Sequence, residues 1–277
     1  ENYCKAKTML FRTLGAKGEK AGLAKTAIIN IDDPWSNHFM VASNAPVITY
    51  GIEKDGSWKA EQVQVTADGV QYVVDDMPVQ LHLNGNFNVY NSLAALAVGE
   101  ALGFPVADVI KALEQVPGIA GRFQKVESDK DYTVIVDYAH TPDGLENVIS
   151  TAKAFAEGRV ITVFGCGGDR DRTKRPLMGK VAAKLSNYCV VTSDNPRTED
   201  PEQILADILP GVQEYMTEAA YTVEADRRKA ISFAIAMAQP GDVVLLAGKG
   251  HENYQEINGV KHHFDDYEVA LEAMQVK

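Results

Sequence analysis

The 277-residue sequence predicts an α/β fold whose later part is a mostly parallel sheet covered by helices on both faces. Two observations carry this. From Thr133 onward, apolar runs of strand length (133–137, 160–164, 188–192, 221–223 and 243–247) alternate with helical patterns (142–156, 175–185, 202–209 and 226–238). Four of those runs also end in a polar stretch. Parallel strands bring such stretches to one edge, the edge at which open α/β sheets bind ligands.

The earlier part is less regular. Residues 1–14 read as a helix, with Tyr3, Leu10, Phe11 and Leu14 on one stripe and Lys7 inside it. A lysine there either buries its stem and leads the ammonium out to water, or is a buried amine whose pKa falls. Residues 27–31 read as a strand before an Asp-Asp-Pro turn, and 47–52 as a second. Residues 58–65 and 70–74 alternate around Ala67-Asp68-Gly69, a hairpin signal, and 79–83 form a further strand. The polar turn Asn84-Gly85-Asn86-Phe87-Asn88-Val89-Tyr90-Asn91 opens a helix over 92–102, where Asn88 and Asn91 can share a face. A helix follows over 106–116. The Gly/Pro-rich stretch 117–122 reads as a boundary, dividing the chain into 1–120 and 121–277. After the alternating region, a hairpin (254–257 and 260–264 around Asn258-Gly259) and a helix (266–274) close the chain.

Composition excludes several classes. Apolar residues make up 45% and charged residues 23%, as in a globular protein. The net charge of −11 argues against a general nucleic-acid or membrane-surface binder, though a few arginines can still dominate one pocket. Cys4, Cys166 and Cys189 lack metal-ligand or disulfide spacing, which fits a reducing cytoplasm. No apolar run approaches the ~20 residues of a membrane span.

The polar strand ends carry the chemistry. Asp194-Asn195-Pro196-Arg197 offers an amide that donates and accepts, a stiffening proline, and a guanidinium fork that grips a carboxylate with two parallel bonds. It is also an ordinary strand-to-helix turn in composition. Gly165-Cys166-Gly167-Gly168 lets a backbone approach a ligand while Arg170 supplies charge, unless Arg170 simply pairs with Asp169 or Asp171. This loop lacks G-x-G-x-x-G spacing, and no G-x-x-x-x-G-K-[ST] or H-E-x-x-H occurs. His262, His263, Asp265 and Asp266 could ligate a metal, or be the polar residues usual at a hairpin and helix start.

Together these stretches resemble the Mur ligase family, in its diaminopimelate-adding branch, over essentially all 277 residues. The resemblance rests on Tyr3-x-x-x-Lys7, Gly85-x-Phe87-Asn88-x-x-Asn91, Gly121-Arg122-Phe123, 136–143 (Val-Asp-Tyr-Ala-His-Thr-Pro-Asp), 164–171 (Phe-Gly-Cys-Gly-Gly-Asp-Arg-Asp), Lys174-Arg175-Pro176, Asp194-Asn195-Pro196-Arg197 and Gly248-Lys249-Gly250-His251-Glu252. It implies an α/β architecture: the later part of an ATP-binding central domain over 1–120, then a Rossmann-like, mostly parallel, amino-acid-binding domain over 121–277. It implies a cytoplasmic, monomeric ligase that uses ATP and Mg²⁺ to add meso-2,6-diaminopimelate to UDP-N-acetylmuramoyl-L-alanyl-D-glutamate through an acyl phosphate, in peptidoglycan synthesis. Lys7 would be carbamylated and bind magnesium, the buried-amine alternative above. Asn91, Arg122 and Asp137 would handle ATP, with Asp137 on the ribose and Arg122 on the phosphates. Arg197 would pair with the second carboxylate of diaminopimelate, with Arg170 as the second cation. Asp194, Asn195, Pro196, Gly248 and Glu252 would complete that pocket, Glu252 by accepting from an ammonium. The family's UDP-binding domain and phosphate loop have no counterpart here, so the chain is expected to be a fragment, inactive by itself. The alternatives are a lysine-adding, other Mur or folylpolyglutamate-type ligase, a non-catalytic amino-acid-binding module, and, more remotely, a nicotinamide oxidoreductase.

Overall fold

The computed structural model describes residues 2–14, 25–66 and 68–275, and of residues 2 and 3 the backbone only. It separates into two compact units, one within Glu1–Val65 and Gly69–Pro117, the other within Thr66–Asp68 and Gly118–Lys277.

The first unit contains α1 (Asn2–Thr13), β1 (Ala27–Asn30), α2 (Ser36–Ala42), β2 (Val47–Gly51), β3 (Trp58–Lys59), β4 (Glu61–Thr66), β5 (Gly69–Val74), β6 (Met77–Leu81), α3 (Asn86–Ala101) and α4 (Val106–Glu114). β1, β2 and β3 form a parallel sheet, and β4, β5 and β6 a second sheet in which β5 and β6 pair antiparallel. α3 buries Val89, Leu93, Leu96 and Ala97 in a core shared by residues of both sheets. The run over 58–65 is therefore two strands. Trp58–Lys59 pairs with β2, and the chain changes sheets near Gln62, whose backbone is left-handed at φ +52°. Alternation continues across the break and conceals it. α3 begins at Asn86, so Asn88 and Asn91 lie on the helix, not in a turn before it. Asn91 Nδ2 donates to Asn88 Oδ1 at 3.0 Å.

α1 departs from the expected stripe. Among its described side chains Cys4 and Thr8 are buried, Leu10 is 62% exposed, and Lys7 is exposed. Phe11 stacks on Phe39 of α2 at 5.0 Å. The burial expected of Lys7 is not seen, because α1 packs on α2 through its neighbouring face.

The second unit contains β7 (Gln124–Lys125), β8 (Thr133–Asp137), α5 (Pro142–Phe155), β9 (Val160–Phe164), α6 (Lys174–Leu185), β10 (Tyr188–Thr192), α7 (Pro201–Gln213), β11 (Tyr221–Glu224), α8 (Arg227–Ala236), β12 (Val243–Ala247), β13 (Tyr254–Ile257), β14 (Val260–His263) and α9 (Asp266–Gln275). The sheet order is β11-β10-β9-β12-β8-β7, parallel except for the edge strand β7. Its continuous apolar strands are buried on both faces and sort with period two. Ile135, Phe164, Val191 and Leu245 join α5, α6 and α7 in one core, whereas Val134, Val163, Val190 and Leu246 join α8 and α9 in the other.

Side-chain caps set three helix starts, as their sequences suggest. Thr141 Oγ1 accepts from Gly144 N before Pro142, Asp200 from Glu202 N before Pro201, and Asp226 from the amides of Arg228 and Lys229. α7 runs past its expected end, through Pro210 and Gly211, because Ile208 and Val212 on either side are fully buried. A Cβ on Gly211 would lie 1.9 Å from the Pro176 carbonyl of α6. Gly211→Ala is expected to destabilise the unit by about 1–3 kcal/mol, seen as a lower urea midpoint at unchanged slope.

Candidate functional site

The strand order reverses between β9 and β12: α6 carries the chain from β9 outward to β10, while β12 and β8 lie on the other side. The crevice outside the carboxyl ends of these strands is where such sheets bind ligands. A pocket of about 470 Å³ opens there, lined by the loops after β8, β9, β10 and β12. Of the residues expected at an amino-acid site, Arg170, Asp194, Asn195, Arg197, Gly248 and Glu252 all border it. Pro196 does not line it. It is buried beneath Gly168, where a Cβ would meet the Pro196 carbonyl at 1.9 Å. Only glycine allows the loops after β9 and β10 this close, and Gly168 N donates to the Asn195 carbonyl at 2.9 Å.

Arg197 has left-handed backbone, φ +53°, a conformation unfavourable for a residue with a Cβ. Two bonds to β13 and its turn hold it: Arg197 N donates to Glu256 O at 3.0 Å, and Asn258 N to Arg197 O at 2.7 Å. Its Nη1 donates to the Gly168 carbonyl at 2.7 Å, and its Nε lies 3.7 Å from Glu256 Oε2. Arg170 is exposed and donates to the Asp169 carbonyl at 3.1 Å, not to the neighbouring carboxylates. Those are engaged elsewhere, Asp169 by Thr198 and Asp171 by Thr173. Asn195 Nδ2 donates to Glu252 Oε2 at 2.8 Å. Asp194 Oδ1 is buried without a hydrogen-bond partner among the described residues.

Sequence reasoning assigned no role to three residues that shape this pocket. Lys249, fully buried, lies behind Asn195 and Glu252. Arg175, 1% exposed, grips Glu199 with both Nη atoms at 2.9 and 3.0 Å and Asp207 at 2.8 Å. Glu199 in turn accepts from Asp169 N at 2.6 Å, which fixes the loop that presents Arg170. Lys249 and Arg175 stand inside the quoted motifs, but apart from Glu252, three residues after Lys249, their side-chain partners are far away in sequence. Hydrogen bonds from Arg175 and from the Asp169 amide hold the Glu199 carboxyl down at about 2. Its pKa is depressed on folding, so its stabilisation is complete above the ordinary value of 4.5 and is lost as pH falls toward 2. Between those values the melting temperature of the wild type should fall more steeply than that of Glu199→Gln.

A second cluster lies in the same unit. Asp137, 6% exposed, accepts from Phe123 N and Ala139 N, each at 2.7 Å, and burial raises its pKa. Arg122 is exposed and stacks over Tyr138 at 4.9 Å, and His140 and His251 also pack on that ring. Asn91 and Lys7 belong to the first unit. Three of the four possible metal ligands after β13, all but His262, are engaged within the protein. Asp266 pairs with Arg227 at 2.6 Å, His263 meets Glu268 at 2.6 Å, and Asp265 accepts from Tyr267 N at 2.8 Å. Burial pushes the Cys166 thiol at the pocket wall up to about 12, so it supplies no thiolate nucleophile near neutral pH. Among the described residues no helix is long and apolar enough to cross a membrane.

Comparison with known proteins gives the family. The profile described as Mur ligase middle domain matches residues 1–99, and that described as Mur ligase, glutamate ligase domain, matches 121–250. Two curated relatives are named UDP-N-acetylmuramoyl-L-alanyl-D-glutamate--2,6-diaminopimelate ligase. The one from Syntrophomonas wolfei is 46% identical over 100% of this chain and 56% of its own length. The one from Lactiplantibacillus plantarum is 48% identical over 99% of this chain and 56% of its own length. A solved structure with that name is 38% identical at TM-score 0.65, covering 98% of this chain and 56% of that one. A Mycobacterium tuberculosis folylpolyglutamate synthase complexed with ADP shares the fold at 20% identity and TM-score 0.65, covering 82% of this chain and 53% of that one. The chain thus spans a little over half the length of the curated relatives it matches. With matches to both domains and this identity over its whole length, the chain belongs to the Mur ligase family.

Proposed function

We propose that this chain supplies the amino-acid pocket, and part of the ATP site, of a ligase that joins meso-2,6-diaminopimelate to UDP-N-acetylmuramoyl-L-alanyl-D-glutamate. One observation carries the choice of amino acid: Arg170 and Arg197 border the same pocket as the carboxylates Asp194 and Glu252, in a lining that also includes Asp171, Lys174 and Arg175. Diaminopimelate has an amino-carboxylate at each end. One end reacts, and the other presents a carboxylate to the arginine side and an ammonium to the acidic side. Lysine lacks the second carboxylate and would bring no anionic partner to Arg170 and Arg197, which disfavours it. The names of the relatives support the same substrates.

In the family's chemistry the peptide carboxylate takes the terminal phosphoryl group of ATP. The neutral amine of the amino acid then attacks the acyl phosphate and expels inorganic phosphate. Arg122 is suited to the phosphates and the buried Asp137 to ribose hydroxyls, since each Asp137 oxygen keeps a lone pair beyond its backbone bond. Asn91 is the corresponding proposal in the first unit. Magnesium fits less well. Among the described residues no three His, Cys, Asp or Glu side chains gather to hold a metal, and the Lys7 amine has no anionic oxygen unless carbamylated. No step is therefore assigned to the metal.

The test joins the chain to its natural upstream segment and follows phosphate release with ATP, Mg²⁺ and the UDP-sugar dipeptide, supplying meso-diaminopimelate or L-lysine in parallel. Release with diaminopimelate alone is expected. Release with lysine instead would keep the reaction class and refute the pocket assignment. Residues 1–277 alone should show no amino-acid-dependent release.

A further inference from the structure

Lys249 has no accessible surface. Its Nζ lies 3.2 Å from Asn195 Oδ1, 3.5 Å from Glu252 Oε2 and 3.6 Å from Asp194 Oδ1, and 5.6 Å from the Tyr254 ring centre. Three groups that border the pocket thus converge on one ammonium behind its wall. An ammonium only donates, so it requires Asn195 to turn its oxygen inward. The Glu256 amide, at 2.9 Å, makes the same demand of that oxygen. The amide nitrogen is left to hold Glu252. Lys249 also offsets one of the two negative charges of Asp194 and Glu252. Two other buried cations lie nearby, Arg227 paired with Asp266 and Arg175 paired with Glu199 and Asp207.

We infer that Lys249 is a positioning residue that sets the selectivity of the pocket between an amino acid with a zwitterionic far end and one ending in an ammonium alone. The inference rests on the amino-acid reading of the pocket given above. With Lys249 in place the acidic side carries a single net negative charge, which suits one ammonium and leaves Arg170 and Arg197 to hold a carboxylate. Without it the acidic side carries two. A doubly negative wall attracts a bare ammonium more strongly and repels the neighbouring carboxylate.

The experiment measures kcat/KM of the rejoined full-length protein and its Lys249→Met variant with meso-diaminopimelate and with L-lysine, alongside thermal melts. Activity with diaminopimelate should fall while that with lysine does not, so their ratio drops by about tenfold or more. A purely structural role would lower both alike. Equal losses, or none, overturn the inference. Should Lys249→Met fail to fold, Lys249→Arg keeps the buried cation and with it the single net negative charge of the acidic side. That variant should keep its diaminopimelate preference within about threefold, and a preference for lysine would overturn the inference. Wild-type protein that releases phosphate with neither amino acid would overturn the amino-acid reading itself, and this inference with it.

Discussion

Arg197→Gly is expected to lower kcat/KM for meso-diaminopimelate by about a hundredfold to a thousandfold while changing that for L-lysine by less than about threefold. Glycine is the cleaner truncation. Arg197 has left-handed backbone, which alanine would adopt under the same strain and glycine adopts freely. A loss shared by Arg197→Ala and Arg197→Gly belongs to the guanidinium. A loss confined to Arg197→Ala belongs to the backbone and to its bonds with β13. Arg197→Lys keeps the charge but not the planar fork, and should recover only part of the activity. The pocket assignment fails if Arg197→Gly keeps the diaminopimelate preference in parallel phosphate-release assays.

The second large effect is on stability. Arg227 and Asp266, both 0% exposed, open α8 and α9 and meet through two bonds of 2.8 and 2.6 Å. Asp266→Leu leaves a guanidinium buried without its counter-charge and should destabilise the protein by about 3–5 kcal/mol. The double variant Arg227→Met/Asp266→Leu removes the charge as well and should recover most of that loss, because well-packed apolar replacements of buried pairs are often neutral. Urea midpoints of the three proteins decide it. A double variant no more stable than the single would mean that the Arg227 bonds to backbone carbonyls, not the pair, carry the effect.

The second unit was readable because its strands are unbroken apolar runs and its helices begin at Thr141, Asp200 and Asp226. In a parallel sheet the polar strand ends must fall on one edge, so topology predicted that the four loops meet, while the choice of Arg170, Asp194, Asn195, Arg197, Gly248 and Glu252 within them came from the family resemblance. Reading failed where local pattern and tertiary packing diverge. α2 has no side-chain cap and only one buried residue, Ser36, so its sequence has no amphipathic period to detect. The helix read over 202–209 stops short, whereas the buried Ile208 and Val212 carry α7 on to Gln213. The stripe of α1 left open a snorkelling or a buried Lys7, the resemblance favoured the buried amine, and nothing in the pattern says which face meets α2. Lys249 and Arg175 gain most of their partners from residues 24 to 55 positions away, as well as from near neighbours. No local spacing reveals such pairs.

Arg227 also reaches upward. Its Nη2 donates to the Ala247 carbonyl at 3.1 Å, and its Nη1 lies 3.5 Å from the Ser193 carbonyl, the residues just before Gly248 and Asp194. The floor of the pocket is thereby fastened to the most deeply buried ion pair of the unit. The rim is built differently: β14 is exposed along its whole length, and β13 is at most half-buried. Amide hydrogen exchange should divide along that line. The Gly248 amide, bonded to the Asp137 carbonyl, should exchange only when the whole unit opens, while the hairpin exchanges through local fluctuations. A ligand could then enter and leave by breathing of the rim, over a floor whose geometry persists as long as the fold does.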